Sequence, residues 1–95
     1  MTVAVVSLTP MLARLRVTLP PGLATARVIG PRHPGHATVE VSYPMRVTAS
    51  SDAALTLEVS IPEPNRAPFE YRVIVTQNGV TVAHVLQLRT GEPGA

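Results

Sequence analysis

Three histidines and six carboxylates are the groups in this chain that could ligate a metal or move a proton near neutral pH, because cysteine is absent. His33 and His36 stand three apart in Gly30-Pro31-Arg32-His33-Pro34-Gly35-His36. A metal centre needs a third and a fourth ligand, and His84 is the remaining histidine. A spacing of three carries meaning on a helix, whereas two prolines and two glycines make this segment a loop. Solvated loop residues are therefore the stronger reading of the pair. Metal binding would need a symmetric assembly, such as a trimer, to gather copies of one histidine on an axis. His84 could serve as a general base, but no serine or aspartate is placed by sequence to complete a triad. A histidine at a sheet margin or subunit contact is the plainer reading.

The carboxylates are Glu40, Asp52, Glu58, Glu63, Glu70 and Glu92. Glu40, Glu58 and Glu70 alternate with apolar neighbours, which puts each on the polar side of a strand. A glycosidase pair would have to converge in a cleft, and a chain with one Phe, two Tyr and no Trp offers little sugar-stacking surface. Cross-strand Arg–Glu pairs are the better use of these groups. The chain contains no glycine-rich phosphate loop, no Gly-x-Ser-x-Gly and no calcium-loop pattern. The expectation is a protein without catalytic activity, metal or cofactor.

The elements that carry these residues follow from composition and period. Ninety-five residues make one domain with a modest core. All eight basic residues are arginine, spread from Arg14 to Arg89 among apolar neighbours. A nucleic-acid footprint would cluster them and interleave aromatics, so nucleic acid is not an expected partner. No apolar run approaches the roughly 18 residues of a membrane span. Met1–Leu8 lacks a basic leader and is cut short by Pro10, so it is not read as a signal peptide.

Alternation with period two runs through the whole chain. The clearest case is the pair of runs Phe69–Gln77 and Val80–Leu88 joined by Asn78-Gly79. Asn-Gly suits a two-residue type I′ turn, which demands φ > 0 at both positions. That turn sets the register, pairing Phe69 with Leu88, Tyr71 with Leu86, Val73 with His84 and Val75 with Val82 on an apolar face. The other face pairs Glu70 with Gln87, Arg72 with Val85, Ile74 with Ala83 and Thr76 with Thr81.

Further strands are expected at Val3–Leu8, Leu12–Leu19, Ala24–Ile29 (ended by Gly30-Pro31), Ala37–Tyr43 (interrupted by Pro44) and Leu55–Ile61. Met45, Val47 and Ala49 continue the alternation beyond Pro44. Asp52 could cap a helical turn before Leu55, but the strict alternation that follows favours strand. Pro62, Pro64 and Pro68 impose an extended loop. Six or seven short strands with turn signals every 8–12 residues or so predict an all-β fold, an antiparallel β-sandwich of immunoglobulin-like or related topology spanning residues 1–95. Residues 1–10 could instead form an extended N-terminal arm.

The second face of the hairpin is only half polar. Ile74, Ala83 and Val85, with Arg72 beside them, form a candidate contact patch. The competing reading is that the N-terminal strand or the 62–68 loop covers them. Val3 and Val5 are candidates for strand addition to another chain.

Residues 37–90 contain Tyr43-Pro44-Met45-Arg46-Val47-Thr48, then Asp52-Ala53-Ala54-Leu55-Thr56-Leu57-Glu58-Val59, the proline-rich 62–68 stretch and Phe69-Glu70-Tyr71-Arg72-Val73-Ile74-Val75. In this succession they resemble small β-sandwich domains of tailed-bacteriophage structural proteins, of the head-decoration, neck and tail-fibre type. The resemblance implies a non-catalytic virion component, such as a capsid-decoration, minor capsid, neck or tail protein. Such a protein is assembled in the host cytoplasm and binds copies of itself and other virion structural proteins, with no cofactor, membrane or nucleic acid involved. The alternative expectation is an immunoglobulin-like bacterial module for sugar or peptide, with Tyr43 as its available aromatic.

Overall fold

The computed structural model describes residues 1–32, 37–64 and 68–89. His33 and His36, residues 65–67 of the proline-rich loop and the tail 90–95 lie outside them. Alternating apolar residues build eight strands: β1 (Thr2–Leu8), β2 (Leu12–Leu19), β3 (Ala24–Arg32), β4 (Val39–Pro44), β5 (Arg46–Ser50), β6 (Leu55–Pro62), β7 (Glu70–Gln77) and β8 (Val80–Gln87). They form two antiparallel sheets, in the orders β1-β2-β6-β5 and β4-β3-β7-β8.

One face of each sheet is apolar. Leu15, Val17, Leu57 and Ile61 from the first pack with Val28, Tyr71, Val73 and Val75 from the second, all buried. The protein is thus a β-sandwich, as the alternation predicts. Strands 1, 2, 6 and 5 opposite strands 3, 7 and 8 reproduce the immunoglobulin-like order, with β4 added at the edge beside β3. The N-terminal segment, which the sequence leaves open to an extended arm, is the edge strand β1, paired along β2 from Thr2 opposite Thr18 to Leu8 opposite Ala13.

Eight strands appear where six or seven are expected, because the alternation through Pro44 conceals a change of sheet. Tyr43 and Pro44 pair with Val28 and Arg27 of β3. Pro44 has no N–H to extend a ladder. Met45 donates its N–H to Ala26 O at 2.9 Å and buries its side chain. The chain then joins the other sheet, with Arg46 opposite Glu58 and Val47 opposite Leu57. A second correction concerns β3, which runs through Gly30-Pro31 to Arg32 rather than stopping at Ile29. The β7 ladder ends at Ile29 opposite Arg72, while the β4 ladder continues to Arg32 opposite Val39. Pro31 therefore sits where β3 has one ladder partner, a position that tolerates proline.

Side chains and left-handed residues shape the turns. Asn78 and Gly79 have φ of 53° and 75°, the type I′ pair. The expected pairings from Thr76 opposite Thr81 to Glu70 opposite Gln87 are all in the ladder, and Phe69 and Leu88, just past its end, are joined by the Leu88 N–H donating to Phe69 O at 3.0 Å. Thr9 Oγ1 accepts from the N–H groups of Met11 (3.3 Å) and Leu12 (3.0 Å), closing the β1–β2 turn. Ser51 Oγ does the same for Ala53 (3.1 Å) and Ala54 (3.2 Å) before β6. The short segment at Asp52 is therefore a serine-closed turn and not a helix.

Candidate interaction surface

The chain crosses between sheets at Pro44-Met45, which puts the edge strands β4 and β5 on one flank of the sandwich and β1 and β8 on the other. Met1, just before β1, lines one recess of ≈ 190 Å³ together with Val80 and Val82 of β8 and with Leu19, Pro20, Val75 and Gln77, which puts the start of both edges at the same end of this flank. An edge strand offers unpaired peptide groups to any other strand, and proteins guard such edges with charges and prolines. The β4/β5 flank is guarded by Glu40, Pro44 and Arg46. The β1/β8 flank is not. Among the described strands, β1 (Thr-Val-Ala-Val-Val-Ser-Leu) and β8 (Val-Thr-Val-Ala-His-Val-Leu-Gln) are the two without Asp, Glu, Lys or Arg.

Both faces of β8 leave apolar surface in water. Val80, Val82, His84 and Leu86 share the inner side with the buried Val75, Val73 and Tyr71 of β7. Because β8 is the outermost strand, Val80 and Val82 are nonetheless 61% and 46% exposed. On the outer side Ala83 is exposed and Val85 is 55% exposed. Fully burying a valine contributes about 1.5–3 kcal/mol, so this strand withholds much of its apolar area from the fold.

The residues singled out from the sequence fall into two groups. Arg72, Ile74, Ala83 and Val85 are brought together on the outer face of the β7–β8 hairpin, in the cross-strand pairs Arg72–Val85 and Ile74–Ala83. Ile74 is half-buried and the other three are exposed. The N-terminal strand does not cover them, since it belongs to the opposite sheet. Arg72 reaches Glu40 across β3, with Nη2 3.6 Å from Oε2. Val3 and Val5 lie opposite the buried Val17 and Leu15, so they face inward at the β1 edge. Val3 is half-buried and Val5 is 44% exposed. They share a flank with β8 but not a face with Ala83 and Val85. The sequence puts Val82 on the apolar face of the hairpin and does not single out Val80, and the exposure of both was missed. The uncharged run from Val80 to Leu88 is the signal that could have exposed them.

The remaining chemistry is structural. Glu58 on β6 accepts from Arg16 Nε at 2.9 Å and Arg14 Nη2 at 3.1 Å. The hydrogen bond from Arg16, helped by the charges of both arginines and outweighing partial burial, lowers its carboxyl below the ordinary range. Tyr43 is buried and donates to Pro31 O at 3.4 Å. Burial raises its phenol, opposed by the nearby Arg32 charge. Among the described residues no three His, Asp or Glu side chains gather as a metal site. His84 is exposed, with Val73 opposite it on β7. Comparison of the chain with protein-family models, with curated proteins and with solved structures finds no match, so its role must be read from the surface described above.

Proposed function

We propose that this chain is a non-catalytic structural component of a tailed-phage particle, of the capsid-decoration, minor capsid, neck or tail type, acting by oligomerisation and docking. The observation that carries the reading is the β1/β8 flank, where each sheet ends in an uncharged edge strand and valines are exposed on both faces of β8. Such an edge attracts strands, and a protein that keeps one has a use for it in assembly. The virion setting comes from the resemblance carried by residues 37–90. The ligand-binding alternative loses its aromatic platform, because Tyr43 is buried and tied to Pro31.

Sedimentation of the purified chain across a wide concentration range tests the assembly. Association that grows with concentration is expected, and a monomer at every concentration would overturn it. Immunogold labelling of intact phage particles tests the setting, and particles without label would refute it.

A further inference from the structure

The β1/β8 flank presents β8 as an uncharged edge strand. We propose that a second copy of this chain pairs with it antiparallel along β8, about a two-fold axis through His84. This rests on the assembly reading above and names its partner.

The hydrogen-bond phase of β8 follows from its turn. A two-residue hairpin makes Gln77 and Val80 a hydrogen-bonded pair, and such pairs recur at every second position. The phase is confirmed at the far end, where Leu88 N–H donates to Phe69 O at 3.0 Å. Val80, Val82, His84 and Leu86 thus point their peptide groups at β7. The N–H and C=O groups of Thr81, Ala83, Val85 and Gln87 point outward, along an edge that has no neighbouring strand among the described residues.

A two-fold axis places each residue of β8 opposite one whose number mirrors it about the axis. Like charges brought opposite each other by such an axis would repel, and β8 carries no Asp, Glu, Lys or Arg. Centring on His84 brings Ala83 opposite the partner's Val85 and Thr81 opposite the partner's Gln87, using the outward peptide groups. On the inner side it brings Val82 opposite the partner's Leu86. Apolar then meets apolar and polar meets polar at each of these pairs. Centring one residue earlier sets Val82 against histidine and Thr81 against Val85, a poorer match. The β1 edge is equally neutral, but a bulge between Val5 and Ser7 breaks its register, whereas the β8 ladder is unbroken.

His84→Cys tests the register in a protein that has no other cysteine. At the centre of the axis the two copies form a non-hydrogen-bonded pair, with Cα atoms about 4.5 Å apart, within the range of a disulfide. Mild oxidation is expected to double the mass on a non-reducing gel. Val82→Cys, which sits four residues from its own copy, should stay at single mass. If wild-type protein associates but His84→Cys does not cross-link, or Val82→Cys cross-links as well, the β8 register is wrong and the assembly reading stands. If wild-type protein never associates, both fall. Circular dichroism of each variant confirms that it is folded, since position 84 is exposed.

Discussion

Gly30 lies beneath the ring of Tyr71: a methyl group built on Gly30 would stand 2.9 Å from Tyr71 Cγ and overlap two further ring carbons. The missing side chain on β3 makes room for the largest fully buried side chain in the core. The contact explains why a glycine stands at position 30 inside β3.

Gly30→Ala should destabilise the fold by about 1–3 kcal/mol, the usual cost of overpacking. Urea unfolding measures it. In a Tyr71→Leu background the penalty should shrink, because the clash is with the ring. An unchanged penalty would place the cost in the backbone instead.

Alkali should destabilise the protein through Tyr71. Burial, with a smaller contribution from Tyr43, pushes its phenol from 10.0 up to about 12. The folded state keeps a proton that the unfolded chain releases. Stability is therefore full below the unfolded value and is lost as pH rises through the folded one, by on the order of 2 kcal/mol. Urea midpoints across this range, with tyrosinate absorbance followed in parallel, check it. Tyr71→Phe should flatten that part of the loss.

Acid should act partly through Glu58. Its lowered carboxyl, held by Arg16 and Arg14, contributes stability above the ordinary carboxylate range and loses it as pH falls through the folded value. Glu58→Gln should lower stability at neutral pH and reduce the further drop on acidification. Denaturant titrations at neutral and acid pH make the comparison.

Ser51→Ala should cost about 0.5–1.5 kcal/mol, the net value of a hydrogen bond, because its hydroxyl accepts from Ala53 and Ala54. Asp52→Ala should change the thermal midpoint little. The opposite ranking would mean that Asp52 closes the turn.

The strand pattern was legible because a half-buried strand must alternate, and this chain alternates in almost every segment. Leu12–Leu19 matches β2 at both ends, and the pairings expected from Asn78-Gly79 are present out to Glu70 opposite Gln87. The break at Pro44 was legible as an interruption. Its meaning was not, because alternation is the same on either side of a sheet switch. The outer hairpin patch was found because its apolar residues stand on a side that solvent should claim. The exposure of Val82 was missed because its inward side looks like core.

The sequence alone determines that this chain is all-β and that its last two strands form a hairpin of one register. Local sterics decide those features, through alternation and a turn that needs two left-handed residues. The tertiary structure alone decides which strands become edges and which edges share a flank. Those depend on how distant strands pair and where the chain changes sheets, and burial at an inward position depends on whether another strand lies beyond it.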